Sequence, residues 1–183
     1  MAKDFPALTA HHRDFIARQH MFFTATAAAG AHINLSPRST DMFRVIGDNA
    51  VVYLDRTGSG NETAAHLKAD GRMTIMMCAT DGPPLILRLY GRGRAIAHGS
   101  AEYAELLAQE FGGEEPLGAR QMIRLDFDLV KTSCGYGVPL HDYVGERDTM
   151  DKWATSKGPE GLETYREKHN RVSMDGLPTG MFD

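Results

Sequence analysis

Short apolar segments separated by turn-forming residues make up the first 130 residues of the chain. Alternating or β-branched runs of this kind predict strands, and the Gly, Pro, Asn and Asp residues between them predict turns. A hairpin is expected around the Gly47-Asp48-Asn49 turn, and Ser36-Pro37 is expected to end a strand. Strands are predicted at residues 22–27, 31–35, 43–46, 51–54, 73–78, 85–96 and 122–130.

Helices are predicted only at the margins of these strands. One covers residues 9–20, a second follows Gly60, and a third covers residues 100–111 with Ser100 as its cap. Because strands and helices do not alternate regularly, the pattern favours a barrel over a doubly wound sheet. The glycines within residues 85–96 indicate a bend or bulge in the longest strand. The fold class predicted is mainly β with peripheral helices.

The last fifty residues have a different composition. From Thr132 onward the chain is rich in Gly, Pro and charged residues, with helices predicted near 149–156 and 160–171. Its apolar residues are too few for a separate core and too many to leave in water. We therefore divide a single domain into a barrel, residues 1–143, and a C-terminal helical arm, residues 144–183. The arm is expected to pack on the barrel or on a partner subunit, with Trp153 at the contact.

A glycine loop between the strand at 51–54 and the following helix is the strongest candidate site. Ser59 and Glu62 have the spacing of a capping box, so the helix is predicted to begin there. Free N–H groups and the helix dipole would make this an anion site, to which Arg56 adds a charge. The loop lacks the Lys-Ser or Lys-Thr of the Walker motif and the third glycine of the dinucleotide motif. An ordinary capped helix after a turn is the alternative.

Composition and charge exclude several classes of protein. The formal net charge of −4 argues against a nucleic-acid partner. The longest apolar stretch, residues 21–31, is too short to span a membrane, and no signal sequence is recognisable, so a cytoplasmic protein is expected. Two cysteines, Cys78 and Cys134, lack metal-binding spacing and fit a reducing compartment. The scattered histidines lead us to expect no metal.

Three stretches in order along the chain resemble the flavin-binding split-barrel proteins related to pyridoxamine 5′-phosphate oxidase. They are Asn34-Leu35-Ser36-Pro37-Arg38, then residues 53–63 including the glycine loop, then Leu87-Arg88-Leu89-Tyr90-Gly91. The tail, at residues 132–139 and 173–178, resembles a generically described subgroup of that family. The resemblance implies a six-stranded split barrel and a homodimer with FMN bound between the subunits.

The resemblance also implies which residues bind the cofactor. The strand end at Ser36-Pro37-Arg38 would contact the flavin ring, and the stretch from Arg56 to Thr63 would hold the phosphate. The cation-rich phosphate site and the substrate-binding C-terminal residues of the oxidase itself have no equivalents here, which leaves the substrate open. The cofactor-binding residues predicted are Ser36, Pro37, Arg38, Asp55, Arg56, Thr57, Gly58, Ser59, Gly60, Asn61, Glu62 and Thr63.

Three functions are compatible with these predictions. The first is an FMN-dependent oxidoreductase that passes hydride or electrons from reduced flavin, charged by a nicotinamide, to a small acceptor. The second is a flavin-binding protein that senses or stores the cofactor without turnover. The third is a deazaflavin-dependent reductase on the same barrel. Because the cofactor carries the redox chemistry, the sequence says little about the substrate.

Overall fold

The computed structural model describes residues 2–183, which form one curled antiparallel sheet with four helices. The eight strands within this range are β1 (Lys3–Phe5), β2 (Met21–Thr26), β3 (Asn34–Ser39), β4 (Phe43–Val45), β5 (Ala50–Arg56), β6 (Arg72–Cys78), β7 (Ile86–Ala97) and β8 (Ala119–Ser133). The helices are α1 (Ala10–Ala17), α2 (Glu62–Ala69), α3 (Ala101–Glu110) and α4 (Thr149–His169). The mainly β fold with a C-terminal helix is therefore confirmed.

The strands follow the order β3-β2-β6-β7-β8-β5-β4, and β1 pairs with the far end of β8. The long strands β7 and β8 form the spine of the sheet. Their register shifts between Tyr90 and Gly91, where a Cβ on Gly91 would lie 2.1 Å from the carbonyl oxygen of Asp126. Only glycine allows this close approach, so the bulge predicted in the longest strand is confirmed.

β5 is buried on both faces and connects two apolar clusters. Val51 and Tyr53 project into the main core, whereas Val52 and Leu54 project into a smaller cluster beneath α3. This arrangement follows from the alternation of side chains along a strand, which sends neighbouring residues to opposite faces. The strand that leads into the glycine loop is thus held rigidly from both sides.

One strand prediction needs correction. The strand predicted at residues 31–35 lies instead at Asn34–Ser39, so Ser36-Pro37 does not end it. Pro37 pairs with Phe23 of β2, and because β3 is the edge of the sheet, a residue without an N–H group is tolerated there. The hairpin of β4 and β5 is confirmed, whereas β1 was not predicted.

The C-terminal arm packs against the barrel of the same chain. The two predicted helices are joined in α4, with non-helical dihedral angles at Gly158 immediately before Pro159. Ala154 and Leu162 lie on the buried face of this helix, and Asn170 follows its last residue. In residues 2–183, no helix is long and apolar enough to cross a membrane.

Candidate functional site

A cleft of about 910 Å³ lies between β3, β5, the glycine loop and the arm. We call it the β3–β5 cleft. It brings together the two stretches that the sequence singled out, although their nearest lining residues, Arg38 and Arg56, are eighteen positions apart along the chain. The predicted residues that line it are Pro37, Arg38, Arg56, Thr57, Gly58 and Ser59.

Curling of the sheet brings β3 close to β5. Four strands separate them in the sheet order, yet Arg38 Nη1 donates a hydrogen bond to Asp55 Oδ1 over 2.5 Å. The guanidinium of Arg38 also lies over the ring of Tyr53, 4.8 Å from its centroid. These contacts cross the open side of the half-barrel and form the floor of the β3–β5 cleft.

A buried polar network lies beneath the glycine loop. Asp55 Oδ2 accepts hydrogen bonds from Arg120 Nε at 2.8 Å and from Gln121 Nε2 at 2.7 Å. Arg120 also donates to the carbonyl oxygen of Gly60 and to Asn170 Oδ1, both at 2.9 Å. Burial raises the pKa of Asp55, but the charges of Arg120 and Arg38 and these hydrogen bonds outweigh it and bring the pKa down to about 2. Asp55 is therefore ionised and fixes the base of the loop.

The predicted capping box is wrong. Helix α2 has Asn61 as its N-cap residue, without a side-chain capping bond. The carboxylate of Glu62 folds back over Gly60, and its Oε2 accepts a hydrogen bond from the backbone N–H of Met174 at 3.0 Å. In a capping box, the backbone N–H of the N-cap residue would donate to Glu62. Here the backbone N–H of Met174 donates instead, because this part of the arm lies against the start of α2.

Thr57 anchors the glycine loop to the protein interior. Its hydroxyl donates to the carbonyl oxygen of Gly118 at 2.9 Å and accepts from Arg166 Nε at 2.7 Å. Asn170 Nδ2 donates to the carbonyl oxygen of Gly58 at 3.1 Å. The Thr57 hydroxyl is thus engaged and does not donate to a ligand in this arrangement. The backbone N–H groups from Gly58 to Asn61 donate to no acceptor among residues 2–183.

Six predicted residues do not line the β3–β5 cleft. Asp55, Asn61 and Thr63 are buried behind its wall, where Thr63 Oγ1 accepts a hydrogen bond from Asn34 Nδ2. Ser36 Oγ donates to Asn34 Oδ1 on β3. The residues outside the lining are Ser36, Asp55, Gly60, Asn61, Glu62 and Thr63. These residues lie next to the cleft and do not form its surface.

Sequence reasoning did not identify three residues that hold the loop: Arg120, Arg166 and Asn170. Arg120 and Gln121 are a polar pair near the start of β8, immediately before its apolar alternation begins. Arg166 lies in the charged last turn of α4, and Asn170 is the residue that follows this helix. Nothing in the local pattern distinguishes them from surface residues. Only the packing of β8 and α4 against the loop makes their roles visible.

The arm forms the outer wall of the cleft. Trp153 and Tyr165 of α4 line it and make an edge-to-face contact, with ring centroids 5.1 Å apart. On the opposite rim, Tyr143 stacks on His20 at 3.6 Å. Arg56 connects barrel and arm, because its Nη2 donates to Asp151 Oδ1 at 2.5 Å and to the carbonyl oxygen of Leu117 at 3.0 Å.

Unmatched donors indicate what the cleft can accept. Among residues 2–183, five buried side-chain polar atoms have no hydrogen-bond partner. Three belong to side chains that line the β3–β5 cleft, namely Arg38 Nε, Arg56 Nε and the Tyr53 hydroxyl. Burial raises the pKa of Tyr53 to about 12, so the hydroxyl remains a donor at neutral pH. A ligand rich in acceptor oxygens and nitrogens, as a flavin is, fits this set of donors.

In the residues described, no three His, Cys, Asp or Glu side chains are grouped to hold a metal ion. The lining of the β3–β5 cleft contains three guanidinium groups, those of Arg38, Arg56 and Arg147, together with tyrosine, tryptophan and carboxylate side chains.

Comparison with known proteins gives the family. The protein-family model described as pyridoxamine 5′-phosphate oxidase matches residues 8–134. This chain belongs to that family. The pyridoxamine 5′-phosphate oxidase family protein ustO of Aspergillus flavus is 36% identical over 190 residues, covering 95% of this chain and 76% of the relative.

Solved structures share the fold. HupZ of Group A Streptococcus has a TM-score of 0.55 and 17% identity over 73% of this chain and 99% of its own. HutZ, the heme storage protein of Vibrio cholerae, has a TM-score of 0.51 and 18% identity over 70% of this chain and 96% of its own. The family assignment confirms the resemblance seen in the sequence, and the structures agree with the split-barrel fold.

Proposed function

We propose that this member of the family binds FMN in the β3–β5 cleft and acts as an oxidoreductase on a small acceptor. The observation that carries the proposal is the meeting, in one cleft, of the β3 stretch and the glycine loop, with Arg38, Arg56 and Tyr53 retaining donors that have no acceptor. A cavity of about 910 Å³ lies within the range of ligand sites, roughly 300–1,000 Å³.

Different residues along the cleft would bind different parts of the cofactor. Arg38 and Tyr53, on its floor, would donate to the oxygens and nitrogens of the ring, and Trp153 and Tyr165 would form an apolar wall that limits access of water. Arg56 and the backbone N–H groups of Gly58 and Ser59, which line the cleft, would receive the phosphate. Bound flavin supplies hydride and electron transfer, which these side chains cannot provide themselves.

Charge near the loop bears on the choice of cofactor. Arg56 is paired with Asp151, and the Glu62 carboxylate lies over Gly60. A phosphate would therefore share Arg56 with Asp151. Because riboflavin lacks the phosphate and is otherwise the same, comparison of the two ligands separates the ring end of the site from the loop end.

The test of this proposal is the spectrum of the purified protein, followed by anaerobic addition of NADH or NADPH. Bound FMN that is rapidly reduced supports an oxidoreductase. Bound flavin that neither nicotinamide reduces supports the storage or sensing alternative. Uptake of a deazaflavin, with no affinity for FMN, supports the deazaflavin-dependent reductase. Failure to bind any flavin would refute all three.

The proposal includes a homodimer with the cofactor between the subunits. β3 is an edge strand with an unpaired side, and its residue Leu35 is 64% exposed, next to Ile33 at 78%. Exposed apolar side chains on an open edge favour pairing with another chain. The expected cytoplasmic location is consistent with free thiols at Cys78 and Cys134 and stays a prediction.

A further inference from the structure

A second cavity, of about 890 Å³, lies on the opposite side of the glycine loop. It is enclosed by α2, the segment at residues 115–121, the second half of α4 and residues 179–183; we call it the α2–α4 cavity. It shares no lining residue with the β3–β5 cleft. Nothing in the proposed flavin chemistry requires it.

Two arginines line this cavity side by side. Arg120 is 5% exposed and is neutralised by Asp55, as described above. Arg166 donates only to neutral oxygens, from Nε to Thr57 Oγ1 at 2.7 Å and from Nη2 to the carbonyl oxygen of Ala119 at 2.8 Å. Within residues 2–183, no carboxylate oxygen lies within 4.0 Å of its guanidinium nitrogens. Arg166 Nη1 remains available to a ligand.

Arg166 has no direct ion-pair partner, although the carboxylates of Glu115 and Glu163 line the same cavity. Burial lowers the pKa of Arg166, and the neighbouring charge of Arg120 lowers it further, while Glu115 and Glu163 oppose the effect more weakly. The other two cations of the lining are already paired, Lys68 with Asp183 and Arg94 with Glu102. An anion entering the α2–α4 cavity would therefore meet one guanidinium group without an ion-pair partner, and the carboxylates of Glu115 and Glu163 in the same lining would oppose its approach elsewhere.

Part of the cavity wall is apolar. Leu117 and Phe182 line it and are 41% and 38% exposed, so both offer apolar surface to a ligand. Leu67 and Leu162 also line it but are covered by neighbouring protein atoms, since they are only 7% and 1% exposed. A ligand with an apolar body and a single anionic group matches such a cavity, whose volume is in the usual range for small molecules.

We propose that the α2–α4 cavity binds a small organic anion, whose carboxylate or phosphate group pairs with Arg166 and whose apolar body packs against Leu117 and Phe182. The planar guanidinium group suits both kinds of head group, because it presents two parallel donors. The site is independent of the flavin proposal. Arg166 Nε also donates a hydrogen bond to Thr57 of the glycine loop, which leaves Nη1 for the anion.

Calorimetric titration of the purified full chain with phenyl phosphate and with benzoate tests the proposal, with benzyl alcohol as the neutral probe. At least one anion should bind, and the tighter of the two identifies the preferred head group. Arg166→Gln should weaken its binding by about tenfold to a hundredfold, the usual effect of losing a charge-assisted hydrogen bond. Lys168→Gln removes the same charge from an exposed position on α4 and should leave binding unchanged.

A second pair of variants covers the case in which Arg166→Gln does not fold. Ala95 lines the cavity and is exposed, so Ala95→Glu places a carboxylate there without breaking a hydrogen bond, and Ala95→Gln is its neutral control. The Glu variant should bind the anion more weakly than the Gln variant. Equal binding by these two, equal binding by wild type and Arg166→Gln, or no binding of either anion would overturn the proposal.

Titration in the presence of saturating FMN distinguishes the two cavities. The anion should still bind when FMN is present, since the lining residues are separate. Displacement of the anion by FMN would assign it to the β3–β5 cleft and overturn the proposal. A protein that binds the anion but no flavin would support this site while refuting the proposed function.

Discussion

Arg120 and Asp55 form an ion pair in the interior of the protein, in which Nε donates to Oδ2 over 2.8 Å and the aspartate is 1% exposed. The pair joins the start of β8 to the end of β5, and Arg38 completes it from β3. Because Arg120 also donates to the carbonyl oxygen of Gly60, the charge that stabilises the core simultaneously fixes the glycine loop. Asp55 therefore links the stability of the core to the position of the glycine loop.

Replacing Asp55 should be strongly destabilising. Asp55→Asn leaves the buried guanidinium group of Arg120 and the partly exposed one of Arg38 without a carboxylate, and it directs an amide donor toward other donors, which costs about 3–5 kcal/mol of unfolding free energy. Urea unfolding at neutral pH measures it. Asp126→Asn is the control, because Asp126 pairs with Arg124 at the surface and such pairs contribute about 1 kcal/mol or less. Similar losses for both variants would show that the buried network is not stabilising.

Acid should weaken the fold through the same carboxylate. The pKa of Asp55 is about 2 in the folded protein and 3.8 for the unperturbed group, so its contribution is complete above pH 4 and is lost as the pH falls toward 2. The shift corresponds to about 2 kcal/mol. The difference in stability between wild type and Asp55→Asn should shrink across this window. A constant difference from pH 5 to pH 2 would contradict the low pKa.

Arg56 should discriminate FMN from riboflavin. If it holds the phosphate, Arg56→Ala weakens FMN about tenfold to a hundredfold and affects riboflavin much less. Asp151→Asn should strengthen the binding of FMN, because it frees Arg56 from its carboxylate partner. Fluorescence titration with both ligands measures the four affinities. Equal changes for FMN and riboflavin would show that Arg56 does not contact the phosphate.

Trp153 should report binding directly. It is the only tryptophan and lines the β3–β5 cleft, so a flavin bound there should quench most of its emission by energy transfer. Trp153→Phe should abolish the tryptophan signal while equilibrium dialysis still detects bound flavin. Bound flavin with unchanged tryptophan emission would place the ligand away from the arm.

The arm should be required for tight flavin binding and for the homodimer. Deleting residues 144–183 removes Trp153 and Tyr165 from the cleft and Arg166 and Asn170 from the loop. Flavin affinity should fall, and dimer stability should fall with it if the cofactor lies between subunits, because mass action links the two. Light scattering with flavin titration on both forms measures this. A full-length protein that binds FMN tightly as a monomer at micromolar concentration would refute the shared site.

Local pattern in the sequence determined much of the framework. Apolar and β-branched runs predicted β5 and β6, strict alternation predicted residues 122–130 of β8, the turn residues predicted the hairpin of β4 and β5, and the glycines of β7 predicted its bulge. Ser100 caps α3 as expected. These features depend on residues close together in sequence, whose conformational preferences and side-chain periodicity act locally. The order of three such stretches also sufficed to indicate the family.

Tertiary structure alone decided how the site is assembled. Arg56 is paired with Asp151, ninety-five residues away, and Glu62 accepts from Met174 instead of capping its own helix. Arg120 looks like a surface residue in the sequence and lies at the centre of the buried network. These partners come together only when the curled sheet and the arm enclose the loop. A buried charge or donor needs a complementary group, and here distant segments of the chain supply it.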